Sequence, residues 1–207
     1  MNSFFDKYYE SINIGLLSTE FSIKQKQVDA NLFFSTIQQK IKKIRDKKFK
    51  LFFLGNGASS AFANHMALDF SKNGKIMAKS LSDSSLLTAL ANDYSYEDAL
   101  IQFINLEKVC SDDLVVTISS SGNSPNIVNL LEYCKLKNIP TLSLSGLKFD
   151  NKSRSLSEFS LFVPMKTYGI VECIHQIFLH LILDESMNIQ EWVRIDTQNM
   201  KHSEFNL

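Results

Sequence analysis

The sequence predicts an α/β fold of the doubly wound type, in which a five-stranded parallel sheet lies between two layers of helices. Short apolar runs that are continuous rather than alternating recur along the chain, with helical patterns between most of them. These runs are residues 51–54, 76–80, 114–119, 140–144 and 159–163. In addition, the first and third runs each end in a turn rich in Gly or Ser that leads into a helical pattern. Strand, tight turn and helix in that order indicate a three-layer sandwich.

Length and composition suit one domain with a substantial core. The chain has 207 residues, of which 44% are hydrophobic and sixteen are Phe. A formal net charge of zero argues against a broad surface for nucleic acid or for an anionic membrane. The late apolar segment 170–183 contains Glu, Gln and two His, and is too short and too polar to span a bilayer. We therefore expect neither nucleic acid nor membrane as a partner.

The cysteines and the N-terminus predict a cytoplasmic protein. Cys110, Cys134 and Cys173 are odd in number and widely spaced, and they form no metal-ligand or disulfide pattern. We expect them to be reduced thiols of the core. The N-terminus carries Asp and Glu early and has no signal-type apolar block.

The N-terminal part of the chain predicts two helices over residues 2–46. The first is apolar around most of its circumference, and the second has an apolar stripe with Lys and Gln opposite. We expect these helices to make subunit contacts, with packing inside the monomer as the alternative. Residues 1–46 then precede an α/β core at 48–187, which ends in a long helix, and a tail at 188–207. Within the core, we expect the polar segment 147–156 to be a mobile loop.

A serine-rich turn follows the third apolar run, at residues 119–124. Ser124 and Pro125 suit the N-cap and first position of a helix. Helix N-termini attract anions. Here three or four serine hydroxyls lie beside the N-terminus of the predicted helix, and no carboxylate occurs within several residues. The turn therefore predicts a neutral phosphate site. The alternative is an ordinary capped turn, which would need only one of these serines.

A second turn, residues 55–59 (Gly-Asn-Gly-Ala-Ser), follows the first apolar run. Ligands of such sheets bind beyond the carboxyl ends of the strands, so the two turns can meet at one crevice. The turn lacks the third glycine of the dinucleotide-binding motif, and no acidic ribose partner follows the next strand. We therefore expect a phosphomonoester ligand and no nucleotide cofactor.

Two histidines lie near carboxylates in helical patterns. His65 and Asp69 are four residues apart and share a helix face, so they can bind a metal ion or act as an acid–base pair. An ordinary exposed contact is the alternative. His180 lies among apolar residues and is expected to be buried with a hydrogen-bond partner or a ligand. Glu172 precedes it by eight residues, about 12 Å along a helix.

Three stretches together resemble the SIS (sugar isomerase) domain family. They are GNGASS after one strand, SSSGNS after a later one, and the late helix with E-x-x-H-x-x-x-x-H. The chain looks similar over nearly its whole length to the branch of sedoheptulose-7-phosphate isomerases, also called phosphoheptose isomerases. The resemblance implies a single flavodoxin-like SIS domain over residues 1–207, a homotetramer built through the N-terminal helices, and zinc.

The resemblance also implies roles for individual residues. Matched positions in the family bind the substrate, and here they are Asn56, Gly57, Ser59, Asp93, Ser119, Ser120, Ser121, Ser124 and Glu172. Zinc ligands or acid–base residues match His65, Asp69, Glu172 and His180. By this resemblance, Asp69 or Glu172 abstracts a proton beside the carbonyl of sedoheptulose 7-phosphate, and His180 transfers protons at the hydroxyls. The product is D-glycero-D-manno-heptose 7-phosphate, formed through an enediolate.

Four positions depart from the family pattern. Asp69 stands where these isomerases typically have Glu, Glu172 where they have Gln, Gly169 where they usually have Asp, and Ala58 replaces a glycine. Two other functions therefore stay open. One is a non-catalytic SIS protein that senses a phosphosugar or acts as a scaffold, as does a family member that binds the replication initiator DnaA. The other is an isomerase for a pentulose or hexulose phosphate.

Overall fold

The structure, a computed structural model, describes residues 3–193, so that most of the predicted tail lies outside the described residues. A sheet of strand order β2-β1-β7-β6-β5-β3-β4 is the centre of the fold. The strands are β1 (Glu20–Ile23), β2 (Lys26–Val28), β3 (Lys50–Gly55), β4 (Met77–Ser80), β5 (Leu114–Ser119), β6 (Thr141–Gly146) and β7 (Phe159–Val163). The helices are α1 (Phe4–Ser18), α2 (Ala30–Lys47), α3 (Ala58–Lys72), α4 (Ser84–Asp93), α5 (Ala99–Leu106), α6 (Pro125–Leu136), α7 (Lys152–Leu156) and α8 (Tyr168–Ser186).

The five predicted strands are β3 to β7, and they pair in parallel. The prediction of a five-stranded sheet is nevertheless wrong, because β1 and β2 add an antiparallel hairpin beside β7. This hairpin occupies residues that the apolar pattern had assigned to the predicted second helix. Its two-residue turn, Lys24-Gln25, has positive φ at both positions. Such turns usually contain Gly or Asn, and without either the sequence gives no hairpin signal.

Helices cover both faces of the sheet, as predicted. One face packs against α2, α3 and α8, where large side chains such as Phe33, Met66 and Phe178 are buried. The other face packs against α5 and α6 through residues such as Phe103 and Leu130. Strands β5, β6 and β7 are buried along their whole length. Their continuous apolar character therefore reflects a sheet covered from both sides.

The two N-terminal helices differ in how they use their apolar residues. The stripe of α2, including Ile37, Ile41 and Ile44, is buried against the sheet, which is the alternative of packing inside the monomer. Helix α1 instead leaves Phe4, Phe5, Tyr9 and Leu17 largely exposed. Subunit contact through α1 therefore stays a prediction, while the stripe of α2 has its partner within the chain.

Several smaller predictions are corrected by the structure. Cys134 is a buried thiol, and burial raises its pKa to about 12, but Cys110 and Cys173 are exposed rather than part of the core. The segment expected to be a mobile loop contains the short helix α7, and its Asn151 and Ser153 are almost completely buried. Within residues 3–193, none of the helices is both long enough and apolar enough to cross a membrane.

Candidate functional site

The serine turn connects the buried end of β5 to the first residue of α6. Gly122 adopts a left-handed conformation (φ +63°), and its N–H donates to the carbonyl oxygen of Ser119 at 2.9 Å. Ser124 is the N-cap residue of α6, as predicted, yet its side chain makes no capping hydrogen bond. Its hydroxyl oxygen lies 3.5 Å from that of Ser119. Pro125 has no N–H, and the N–H groups of Ile127 and Val128 donate to the carbonyl oxygen of Ser124. The N–H of Asn126 and the Ser124 hydroxyl therefore remain available to a ligand.

The glycine turn connects β3 to α3 and lies beside the serine turn, because β3 and β5 are neighbours with Gly55 opposite Ile118. Gly57 is the N-cap residue of α3 at φ +55°, so this helix end also has no side-chain cap. A Cβ at Gly55 would lie 2.7 Å from the backbone of Ser59, which leaves no space for a larger residue. The tight turn thus carries Ser59 to the same edge of the sheet.

The two turns line one cavity of about 170 Å³, which we call the serine cavity. Two helix N-termini without side-chain caps open at this edge, and helix N-termini bind anions through their free N–H groups and their dipole. Glu172 adds a carboxylate to a lining that is otherwise uncharged within the described residues. The lining consists of Asn56, Ser59, Ile118, Ser119, Ser120, Ser121, Ser124, Tyr168 and Glu172.

Asn56 is held in a fixed orientation at the boundary of the serine cavity. Its amide exchanges two hydrogen bonds of 2.8 Å with the amide of Asn126, and its oxygen also accepts from the Tyr96 hydroxyl at 3.1 Å. A smaller cavity of about 90 Å³ is also lined by Asn56, together with Gly57. Because these hydrogen bonds fix the side chain, Asn56 can present its remaining amide N–H without a large loss of conformational entropy.

A second group of polar side chains lies further along α3 and α8. The predicted contact between His65 and Asp69 is present, with 2.9 Å between Nε2 and Oδ2. The rings of His65 and His180 are 5.4 Å apart between centroids. One ligand atom from each of His65, Asp69 and His180 lies within 4.8 Å of the other two, and we call these three residues the histidine cluster. Two imidazoles and a carboxylate are a donor set that suits a catalytic zinc, which keeps a further position open.

The two histidines of α8 differ from the prediction. His180 is only half-buried, and its Nε2 lies 2.9 Å from the side-chain nitrogen of Gln176. The fully buried residue is His175, whose Nε2 lies 3.1 Å from the carbonyl oxygen of Ser145. Burial lowers the pKa of His175 to about 4, so this ring is neutral at physiological pH. His175 lies on the face of α8 that packs on the sheet, and His180 lies at the edge of that face.

Two other predicted site residues, Glu172 and Asp93, lie outside the histidine cluster. Glu172 lines the serine cavity and is not one of the three residues of the histidine cluster. Asp93 is the exposed last residue of α4, hydrogen-bonded to Asn92, and lines neither of the two cavities around Asn56. The structure thus brings together all the predicted serines with Asn56 and Glu172, and separately His65, Asp69 and His180.

Tyr168, Asn126 and Gln176 also contribute to these places, although the sequence did not indicate them. They act through contacts between distant elements, which leave no local pattern. Tyr8 is a further case, since its hydroxyl oxygen lies 3.6 Å from the position that a Cβ at Gly169 would occupy. A phenol from α1 therefore lies beside the position where the family pattern has a carboxylate.

The family profile of the SIS domain matches residues 36–146, which is more than half of the chain. The match begins in α2 and ends with β6, so it includes the glycine turn, the serine turn and two residues of the histidine cluster. The chain belongs to the SIS domain family.

Several of its sequence relatives are phosphoheptose isomerases. The enzyme of Helicobacter pylori (strain Shi470) is 34% identical over 141 residues, which cover 65% of this chain and 72% of the relative. That of Fusobacterium nucleatum is 30% identical over 179 residues, covering 83% and 91%. By sequence, the chain is therefore an enzyme of the sugar-phosphate isomerase class, close to the phosphoheptose isomerases.

A solved structure supports the fold. Phosphoheptose isomerase from Neisseria gonorrhoeae superposes with a TM-score of 0.72 at 21% identity, covering 88% of this chain and 96% of that one. At that level of identity the likeness concerns the fold, namely a mostly parallel sheet between helix layers.

Proposed function

We propose that this enzyme converts sedoheptulose 7-phosphate to D-glycero-D-manno-heptose 7-phosphate. The observation that carries the proposal is the serine cavity, where the N-termini of α3 and α6, both without side-chain caps, meet a group of serine hydroxyls. The histidine cluster lies further along α3 and on α8. The cavity offers an anion site, and the cluster offers groups for proton transfer. A phosphosugar isomerase needs both.

Phosphate binding at the serine cavity would use neutral donors. The N–H groups of Ala58 and Ser59 in α3 and of Asn126 in α6 can donate to phosphate oxygens. So can the serine hydroxyls of the cavity, which belong to Ser59, Ser119, Ser120, Ser121 and Ser124. Asn56 and Glu172 border this space and can contact the hydroxyls of the sugar. We assign the substrate-binding role to these residues, with Gly57 shaping the first turn, and we keep Asp93 as a proposed contact that requires movement of the end of α4.

The distance between the two places suits a substrate whose reacting carbons are far from its phosphate. Helices α3 and α8 both begin at the carboxyl edge of the sheet. Along α3, His65 follows Ser59 by about 9 Å, and along α8, His180 follows Glu172 by about 12 Å. In sedoheptulose 7-phosphate the carbonyl at C2 lies at the opposite end from the phosphate. The histidine cluster is therefore the better location for proton transfer, and Asp69 a better base than Glu172.

The proposed reaction moves one proton between carbons and one between oxygens. Asp69 removes a proton from C1 of the open-chain ketose, which leaves an enediolate with its negative charge on O2. His180 supplies a proton to O2 and accepts the hydroxyl proton of O1, and the carboxyl of Asp69 returns its proton to C2. The product is the aldose, and no external oxidant or reductant is consumed.

Zinc is the cofactor that we propose for this site, with no nucleotide cofactor. His65, Asp69 and His180 would hold the ion, and Glu172 would need to turn out of the serine cavity to become a fourth ligand. A bound divalent cation would stabilise the negative charge that develops on the substrate oxygens. The ion would take one atom from each residue, so the proton transfers described above are assigned to the other carboxylate oxygen of Asp69 and the other ring nitrogen of His180.

The test is incubation of the purified protein with sedoheptulose 7-phosphate in deuterated water. We expect aldoheptose 7-phosphate that carries solvent deuterium at C2, because the carboxyl proton of Asp69 exchanges with solvent. An absence of both aldoheptose phosphate and deuterium incorporation would exclude the proposal. Pentulose and hexulose phosphates form the comparison panel, and faster turnover of one of them would reassign the substrate within the same enzyme class.

Assembly as a homotetramer is a further part of the proposal. The exposed aromatic residues of α1, Phe4, Phe5 and Tyr9, support a role in subunit contact. Light scattering coupled to size-exclusion chromatography tests it, with a Phe4→Ser, Phe5→Ser double variant as the comparison. We expect a smaller assembly for the variant, and an unchanged mass would exclude α1 as the contact. The scaffold alternative that binds DnaA has less support, since the sequence relatives are enzymes.

A further inference from the structure

The serine turn is held from behind by the chain that follows β6. This segment, residues 147–156, is the one that includes α7, and we call it the bracing loop. The main-chain N–H and the hydroxyl of Ser153 both donate to the carbonyl oxygen of Gly122, each at 2.9 Å. The N–H of Lys152 donates to the side-chain oxygen of Asn123 at 3.0 Å. Beside the loop, at the end of β6, the N–H of Gly146 donates to the carbonyl oxygen of Ser120 at 3.0 Å.

These hydrogen bonds all use acceptor oxygens of the turn. A carbonyl oxygen that faced a bound phosphate would repel it, whereas N–H and hydroxyl groups attract it. By holding the oxygens of Ser120, Gly122 and Asn123 away from the serine cavity, the neighbouring chain leaves the turn's donors to face the ligand. A preorganised set of donors binds an anion without the cost of reorganising the turn.

The bracing loop is itself anchored to the sheet. The guanidinium of Arg154 lies 2.5 Å from the carboxylate of Glu20 in β1 and stacks over the rings of Phe149 and Phe162, at 4.1 and 4.6 Å. Asn151 is 1% exposed and caps α7 by accepting from the N–H of Arg154 at 3.1 Å. A Cβ at Gly122 would lie 2.2 Å from the side-chain oxygen of Asn151, so the turn and the loop are in direct contact.

From these contacts we propose that Ser153 and Asn123 are positioning residues for phosphate binding, acting through the shape of the serine turn. This inference rests on the proposed function, since it assumes that the serine cavity takes the substrate phosphate. Neither residue lines the serine cavity itself. Their effect on catalysis is therefore indirect and concerns substrate affinity rather than the proton-transfer step.

The experiment compares Ser153→Ala with Ser155→Ala, which removes an exposed hydroxyl from the same short helix. We expect Ser153→Ala to raise KM about fivefold, the scale of one lost hydrogen bond, with kcat kept within a factor of two. Ser155→Ala should leave both constants unchanged. A merely structural role of Ser153 would lower Tm and the fraction of active enzyme without changing KM.

Asn123→Ala is the second variant, because Asn123 is exposed and its replacement should fold normally. We expect a KM increase of similar size. The inhibition or dissociation constant for inorganic phosphate, measured by calorimetry, should rise by the same factor in both variants. If the wild-type protein binds phosphate but does not turn over sedoheptulose 7-phosphate, the proposed substrate fails while this binding measurement still decides the inference. Unchanged KM and unchanged phosphate affinity in both variants would overturn it.

Discussion

The serine cavity and the histidine cluster both depend on helices, but they use different parts of them. The serine cavity is formed where strands end and helices begin, by short side chains and main-chain N–H groups that the fold holds in place. The histidine cluster is formed by two imidazoles and a carboxylate on the sides of α3 and α8, and the His65 side chain is 51% exposed. The first arrangement suits binding of a fixed anion, and the second suits groups that must exchange protons. We therefore expect changes in the first to alter KM and changes in the second to alter kcat.

The largest expected effect is that of Asp69→Asn. The amide retains the size of the side chain but cannot accept a proton from carbon, so kcat should fall about a thousandfold with little change in KM. Steady-state kinetics with sedoheptulose 7-phosphate measures both constants. Asp46→Asn on the exposed face of α2 is the control and should behave as wild type. A variant that retains more than a tenth of wild-type kcat would remove Asp69 from the role of base.

The buried histidine of α8, His175, predicts how the stability of the protein depends on pH. The folded-state pKa of His175, about 4, lies below the unfolded value near 6.5, so the unfolded chain binds more protons between these values. Stability should therefore fall as the pH is lowered through this range, by about 2 kcal/mol between pH 7 and pH 5. Urea unfolding at both pH values measures the change. In His175→Gln the decrease should be smaller by that amount, and an equal decrease would show that His175 does not cause it.

Ser124→Ala separates ligand binding from helix capping. Loss of an N-cap side chain usually costs about 1 kcal/mol of stability, but the Ser124 hydroxyl makes no capping bond here. We expect KM to rise about tenfold, as for the loss of a hydrogen bond to a charged group, with Tm unchanged. Ser85→Ala, an exposed serine of α4, is the matched control for kinetics and melting. A lower Tm with unchanged KM would mean that the hydroxyl serves the helix rather than the ligand.

Glu172→Gln has the smallest expected effect on the kinetic constants. It tests directly whether Glu172 belongs to the binding site or to the proton-transfer site. The carboxylate lies in the same cavity as the proposed phosphate, so its removal should lower KM by about threefold to tenfold through loss of charge repulsion. The difference between the variant and wild type should shrink at high ionic strength. If instead kcat fell more than a hundredfold at constant KM, Glu172 rather than Asp69 would be the base.

Features that depend on neighbouring residues could be predicted from the sequence. Three predicted features involve residues only a few positions apart in sequence, and the structure contains all of them. They are the serine turn, the N-cap at Ser124 and the contact between His65 and Asp69. The five parallel strands were also visible, because burial on both faces leaves continuous apolar runs.

Features that depend on distant parts of the chain could not be predicted. The hairpin turn at Lys24-Gln25 has no Gly or Asn to indicate it. The degree of burial of His175 and His180 depends on the rotation of α8 against the sheet, which a helix that is apolar on most sides does not specify. The contact from Ser153 to Gly122 joins residues 31 apart in sequence, and no local pattern indicates it.

The hairpin of β1 and β2 has a consequence for the integrity of the sheet. Four residues of β1 pair with β7, whose sequence, FSLFV, is apolar and rich in aromatic rings. Without that pairing, the N–H and C=O groups along one side of β7 would be open to the strands of other molecules, a known route to aggregation. The N-terminal region thus covers the edge of β7. Removal of residues 1–28 is therefore expected to cause aggregation before it changes the catalytic activity.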